Sequence, residues 1–281
     1  VIVREVPVRE IAAAVEKLFL EASFELSPAV TEKLRRAAEE ETSPTGRAVF
    51  AELLENARIA REERVPMCQD TGLAVVFVEV GQDCLLTDGG LVDAVNEGVR
   101  SAYEGGYLRK SCCDPFSRAN TRDNTPAIVH TSVVPGDRVK IVAMPKGGGS
   151  ENCSALKMLS PSQGIEGVRE FVLDTVRAAG PNPCPPVIVG VGIGGNFETS
   201  ALLSKEALMV PLGERNGDPR VAELETELLR LANESGIGPG GYGGRITALD
   251  VHVKMLPCHI ASLPVAVNIQ CHAHRIREAV L

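Results

Sequence analysis

Three cysteines of this chain stand where chemistry could be assembled. Cys68 lies in PMCQDTG, ahead of an apolar β-branched run. Cys184 lies in PNPCPP, after a helix stop and before another such run, and Cys271 lies in NIQCHAHR at the end of a third. Each sits at an element end, where loops from distant parts of a chain can converge. No C-x-x-C occurs, and the adjacent pair Cys112-Cys113 is a poor chelate because neighbouring side chains point apart. Three loop thiolates far apart in sequence suit a cubane iron–sulfur cluster better than zinc, which is usually held by four ligands at local spacings. A [4Fe–4S] cluster normally takes four thiolates. With three, one iron keeps an open position and can act as a Lewis acid on a hydroxyl or water. That chemistry suits removal of water from a hydroxy acid. The plain alternative for any single cysteine is a small buried hydrophobe.

Two glycine runs could meet an anion. Lys146-Gly147-Gly148-Gly149-Ser150 follows a strand, and its backbone N–H groups could form a nest for a carboxylate or a phosphate. An ordinary turn is the alternative. Gly190-Val-Gly192-Ile-Gly194-Gly195 matches G-x-G-x-x-G, after a strand and before a helix, as in dinucleotide-binding proteins. No βαβ unit stands in front of it, and close strand–helix packing explains these glycines equally well. A nucleotide-binding oxidoreductase built on Gly190–Gly195 is therefore the rival reading.

Interspersed helices and strands must position these groups. The first 65 residues read as helices, with Ser27-Pro28 and Ser43-Pro44 each placing a capping hydroxyl before a first-turn proline. Strands are expected over 73–80, 127–134, 138–144, 187–191, 247–255 and 263–269, the second and third joined by the turn Pro135-Gly136-Asp137. Helices are expected over 88–104, 164–179 (ended by Gly180), 197–209 and 219–235. No regular βαβ rhythm appears. The expected class is mixed α/β, of the α+β type, with a helical segment over about 1–65 and an α/β part over about 66–281 in one domain.

Composition narrows the partners. The chain has 281 residues, 44% of them hydrophobic, enough for a substantial core. A net charge of −8 argues against nucleic acid or an anionic membrane as the main partner. Aromatic content of 4% with no Trp argues against base-stacking platforms. No run of about 18 apolar residues is present, and the charged N-terminus VIVREVPVREI does not read as a signal peptide. A cytoplasmic location is expected. There the eight cysteines would serve as buried thiols, ligands or reactive groups rather than as disulfides.

Six ordered motifs carry a resemblance that runs over nearly the whole chain. They are MCQDTG at 67–72, LRKS at 108–111, NTRDNTPA at 120–127, KGGGSEN at 146–152, NPCPPVIVGVGIGG at 182–195 and LPCHIASLPVAVNIQCHAHR at 256–275. Together they resemble the iron–sulfur region of class I fumarate hydratases and of the related L-tartrate dehydratases. The resemblance implies a [4Fe–4S] cluster on Cys68, Cys184 and Cys271. It implies that Asp70, with Gln69 beside it, moves the proton of the substrate hydroxyl. It further implies that Arg109 clamps a substrate carboxylate and that Gly147, Gly148 and Gly149 supply backbone donors. Cys258 falls where the family often has Arg, and Cys153 has no ligand counterpart.

Two departures bear on function. The single-chain form continues into a second domain, whereas this sequence ends at Leu281. The resemblance is thus to the α subunit of the two-subunit form, with a β subunit completing the site, in an α2β2 assembly. The CCDPFSR and NTRDN stretches also differ from the single-chain pattern, and Arg118, Arg122 and Asp123 receive no role. The expected activity is reversible hydration of fumarate to malate, with L-tartrate dehydration as the alternative.

Overall fold

The computed structural model describes residues 3–281. In chain order, the first elements are β1 (Arg4–Pro7), α1 (Val8–Phe24), α2 (Pro28–Glu40) and α3 (Pro44–Glu63). There follow β2 (Leu73–Gly81), β3 (Cys84–Thr87), α4 (Leu91–Gly105), β4 (Ile128–Val134) and β5 (Val139–Lys146). Then come the short α5 (Gly148–Glu151), β6 (Ala155–Leu159), α6 (Gly164–Ala179), β7 (Val187–Gly194) and α7 (Phe197–Ala207). The chain finishes with α8 (Pro219–Asn233), β8 (Ala248–Leu256), β9 (Leu263–Gln270) and β10 (Arg277–Val280). The fold is mixed α+β. No helix among the described residues is long and apolar enough to cross a membrane.

Two compact units make up this fold. Unit 1 takes the chain up to Ser27, Asn56–Gly148 and Arg275–Leu281; unit 2 takes Pro28–Glu55 and Gly149–His274. The helical N-terminal segment thus contributes α1 to unit 1 and α2 to unit 2.

Unit 1 is built on a four-stranded sheet in the order β10-β5-β2-β4, with β2 antiparallel to β5 and parallel to β4. Helix α1 buries Ile11, Val15, Leu18, Phe19 and Ala22, a stripe at helical spacing. That stripe and the buried face of α4 (Val95, Val99, Ala102) pack with Val76 and Val78 of β2 and Ile141 and Ala143 of β5. The strands β1 and β3 form a separate parallel pair.

Unit 2 has a sheet in the order β6-β9-β7-β8, with β7 antiparallel to β9 and parallel to β8. Val189, Val191, Val251, Val253, Val265 and Val267 line one face and meet Val168, Val172 and Val176 of α6 and Leu224 and Leu228 of α8. Helix α7 covers the alternate positions. Its start is capped by Asn196, whose Oδ1 accepts from Thr199 N at 2.9 Å. Asp218 caps α8 in the same way, with Pro219 in its first turn.

The expected long elements are present with ends displaced by a few residues. The structure adds β1, β3, β6 and β10, of four or five residues each. They are too short for a hydrophobic alternation to stand out from the loops around them. The two strands joined by the Pro135–Asp137 turn are not sheet neighbours, because β2 lies between β4 and β5.

Candidate functional site

In each unit the expected site residues collect at one end of the sheet. An antiparallel pair puts the start of one strand beside the end of its neighbour. Leu73, opening β2, pairs with Lys146, closing β5. In unit 2, Ile188 near the start of β7 pairs with Gln270, which closes β9. The CQDTG loop therefore meets the KGGG turn, and the Cys184 loop meets the segment that begins at Cys271.

The CQDTG loop of unit 1 is fastened along its length. Met67 N donates to Ser23 O at 3.0 Å, and Asn56 Nδ2 donates to Met67 O at 2.8 Å. The Tyr103 hydroxyl sits within hydrogen-bond distance of Thr71 O (2.8 Å) and Gly72 O (3.0 Å). Burial pushes the Tyr103 phenol upward, the nearby Arg275 charge opposes this, and the Asp70 charge adds to it. Asn124 Nδ2 also donates to Gly72 O at 3.1 Å, while its Oδ1 accepts from Ser111 N and Cys112 N. Gly72 has φ +79°, and a Cβ there would lie 2.7 Å from the Lys146 backbone. A side chain at this position would be both strained and blocked.

Asp70 is held at both carboxylate oxygens. Oδ1 accepts from Gly72 N at 3.0 Å, and Oδ2 accepts from Gly148 N at 2.7 Å. The carboxylate retains lone pairs beyond these two bonds. One donor of the expected glycine nest is thus directed at a side chain of the protein. Gly147 is buried, and a Cβ on it would lie 3.2 Å from Asp70 Oδ2 and 3.4 Å from Arg275 Nη2. Arg275 is 2% exposed and donates from Nη1 to Asp70 O at 2.7 Å, leaving its buried Nε without a partner. Lys146 is likewise 2% exposed. Buried cations imply anions to balance them.

The other expected residues of unit 1 divide. Arg109 accepts the Thr71 hydroxyl at its carbonyl (2.6 Å), so its backbone is tied to the loop while its side chain is exposed. Gln69 is exposed, and its Oε1 lies 3.6 Å from the half-buried Cys68 Sγ. Asp123 accepts from Arg100 Nε (3.1 Å) and from Thr125. Burial would raise its carboxyl, but these hydrogen bonds outweigh burial and hold it below the usual range. Arg118 and Arg122 are exposed, with φ of 60° and 73°.

In unit 2, Cys184 is exposed and adopts φ +56°, whereas Cys271 is half-buried. The Cys184 loop is supported by Gly240 N, which donates to Pro185 O at 2.8 Å. His272 Nδ1 also lies 3.0 Å from Cys184 O. Gly149 accepts the Cys153 thiol at its carbonyl (3.2 Å), and the exposed Cys258 donates to Ser262 O within its own turn.

Gly190 and Gly192 lie inside β7. A Cβ on either would come 2.1 Å from a backbone oxygen of α7, Ser204 O and Ser200 O respectively. The strand runs on through both residues, so they permit close packing of α7 rather than form a turn around a phosphate. That geometry removes the physical basis of the nucleotide reading.

The chain matches the family model described as fumarate hydratase (Fumerase) over residues 12–280. It belongs to this family. A Methanocaldococcus jannaschii relative provisionally named L(+)-tartrate dehydratase subunit alpha is 43% identical over 272 residues, 95% of each chain. The L(+)-tartrate dehydratase subunit alpha of Escherichia coli K12 is 36% identical over 250 residues, covering 88% of this chain and 82% of its own.

Thiol exposure bears on whether this family member fits a cluster. None of the eight cysteines is fully buried, although free cysteine is among the most buried residue types. The hydrophobe alternative is therefore weakened for most of them, and holds best for Cys84 and Cys153, which pack against the two cores. Among the described residues, no three of His, Cys, Asp and Glu stand close enough to hold a single metal ion. A cubane makes a different demand, since its own width separates the thiolates.

Arg275, Lys146, Tyr103 and Asn124 were not singled out from the sequence as site residues. Arg275, Lys146 and Asn124 did lie within quoted motifs, the first two near Cys271 and the glycines. Nothing local marks Tyr103 or gives Asn124 a role, because their partners are 12 to 52 residues away.

Proposed function

We propose that this chain is the α subunit of an iron–sulfur hydro-lyase that interconverts malate and fumarate. The observation that carries this reading is Asp70. It is the second residue after a half-buried cysteine, anchored at both oxygens by backbone donors on a loop fastened at several points. Such a carboxylate is pre-oriented and keeps lone pairs for a proton.

In this reading Cys68, Cys184 and Cys271 would hold a [4Fe–4S] cluster, whose open iron supplies Lewis acidity at the substrate hydroxyl. Elimination breaks the C–O bond at the hydroxyl carbon and the C–H bond on its neighbour, forms the double bond and releases water. Asp70 delivers the proton that converts the leaving hydroxyl to water, and takes it back in hydration. Gln69, Arg109 and the Gly147–Gly149 turn bind the dicarboxylate, and the buried guanidinium of Arg275 favours negative charge nearby. No residue of this chain is assigned to the carbon proton. That base belongs to a β subunit, in an α2β2 complex.

The test is anaerobic reconstitution followed by iron and sulfide analysis and by assay with the β subunit. A chain that takes up no cluster, or a Cys184→Ser variant with full iron content, would overturn the ligand set. Full malate turnover without a β subunit would overturn the split site. L(+)-tartrate dehydration is the second reading, favoured by the names of the relatives at 43% and 36% identity. Side-by-side assay with malate and tartrate separates the two.

A further inference from the structure

The two units fasten their functional loops by analogous ties. In unit 1 the segment after β5 reaches the loop before β2, through Gly148 N and Asp70 Oδ2 at 2.7 Å. In unit 2 the segment after β9 reaches the loop before β7, through His272 Nδ1 and Cys184 O at 3.0 Å. A carbonyl can only accept, so Nδ1 carries the proton of this bond. The residue receiving this bond, Cys184, is a non-glycine in the left-handed region. Such a conformation persists only where its surroundings over-determine it. Gly240 N donates to Pro185 O at 2.8 Å, and a Cβ on Gly241 would lie 2.3 Å from Pro181. The loop is thus held by contacts from Gly240 and Gly241 and by His272.

We propose that His272 is a positioning residue: its Nδ1–H holds the Cys184 loop against the Cys271 segment, so that these two thiols are pre-set as a pair before any cluster arrives. This rests on the proposed ligand set for its purpose, but the pairing is a property of the apo chain and can be measured there. Asparagine places its amide nitrogen near the position of Nδ1, whereas glutamine places it near Nε2. The two variants therefore separate this hydrogen bond from mere bulk or polarity.

The probe is a monosubstituted trivalent arsenical, which binds by bridging two thiols. It is titrated into the reduced full-length chain, and the bridged pair is identified by peptide mass. Expected is a Cys184–Cys271 bridge in the parent chain, weakened by about fivefold in His272→Ala, the weight of one hydrogen bond. His272→Asn should restore the affinity and His272→Gln should not. Equal affinity in all four chains, or rescue by Gln as complete as by Asn, would overturn the proposal. If His272→Ala fails to fold, the Asn and Gln pair still decides. Iron content after anaerobic reconstitution reads the other question. A parent chain that pairs its thiols but takes up no iron would sink the cluster reading and leave the positioning role standing. Iron uptake with no dependence of arsenical binding on residue 272 would do the reverse.

Discussion

The two four-stranded sheets of this chain share a three-strand arrangement on different chemistry. They differ in the outer antiparallel strand, which follows the other three along the chain in unit 1 (β10) and precedes them in unit 2 (β6). In unit 1 the central strand β2 is followed by α4, a parallel edge strand β4 and an antiparallel neighbour β5. In unit 2 the central strand β7 is followed by α7 and α8, a parallel edge strand β8 and an antiparallel neighbour β9. Cys68 precedes the central strand of one and Cys184 that of the other. The KGGG turn and the Cys271 segment both leave the antiparallel neighbour. The sheets differ in what lies on them. Unit 1 lines the face beneath α1 and α4 with Val76, Val78, Ile141 and Ala143. On the α7 side of its sheet, unit 2 places Asp250, His252, Asn268 and Gln270, all buried. Asp250 accepts from Arg215 Nη1 and Gly213 N, both at 2.7 Å. Both ring nitrogens of His252, together with Asn268 Oδ1 and Gln270 Nε2, have no hydrogen-bond partner among the described residues, although His252 Nε2 lies 3.7 Å from Asp250 Oδ2. The comparison teaches that strand order locates the functional loops, whereas the chemistry of each sheet's faces sets how the unit answers to acid and to substitution.

The largest expected effect tests whether the unit 1 tie is catalytic. Asp70→Asn keeps one acceptor oxygen but no carboxylate, and kcat of the reconstituted α–β enzyme should fall by about 10²–10⁴-fold with iron content retained. An unchanged kcat would remove Asp70 from the proton path.

Packing gives the next effect. Gly192→Ala should destabilise unit 2 by about 3 kcal/mol or more, because its Cβ meets Ser200 O at 2.1 Å. Gly147→Ala, whose Cβ meets Asp70 Oδ2 at 3.2 Å, should leave melting nearly unchanged while lowering kcat. Equal melting temperatures for the two variants would break the contrast between a packing glycine and a site glycine.

Acid should act on unit 2 first. Burial depresses His274 to about 4, with the neighbouring His252 lowering it further and Asp250 opposing. His252 is also depressed, chiefly by burial. A depressed histidine is neutral when folded, so its contribution is complete above the unfolded value near 6.5. It is lost as pH falls from there toward the folded value. For His274 this amounts to about 2 kcal/mol at pH 5 relative to pH 8. Glu41 adds a second loss below about 4.5. Burial would raise its carboxyl, but the backbone N–H groups of Ser43, Arg245, Ile246 and Thr42 outweigh burial and hold it low. Peptide-resolved hydrogen exchange of the apo chain at pH 5 and pH 8 checks this. Faster opening of β2 and β5 than of β8 and β9 would contradict it.

The smallest effect sharpens the account of the DTG loop. Tyr103→Phe removes a hydroxyl shared between two carbonyls and should cost about 1 kcal/mol. The loss should be visible as faster exchange across 67–72, with β7 and β9 unaffected.

Much of this was legible along the chain. The long elements follow from period and caps: Ser43-Pro44 does open α3, and Asp218-Pro219 opens α8. The mixed class followed from their irregular alternation. The short strands β1, β3, β6 and β10 were not legible, since four or five residues make no pattern. The shared three-strand arrangement was hidden as well, because each unit is stitched from separate segments and the two share no motif. Among site residues, Asp70 and the glycines could be named from motifs. The buried guanidinium of Arg275 could not be, since burial is set by neighbours 205 residues away along the chain.

By itself, the sequence determined the family, the α+β class and the residue types available for chemistry, because these are written in local pattern and ordered motifs. Tertiary structure alone decided that β2 intervenes between β4 and β5, that Gly190 and Gly192 make room for a helix, and that Gly148 donates to Asp70. It also decided that His272 meets the carbonyl of Cys184. The Gly148 and His272 contacts depend on antiparallel pairings, and the place of β2 on one parallel and one antiparallel pairing, between segments far apart along the chain. Spacing in sequence carries no record of such pairing.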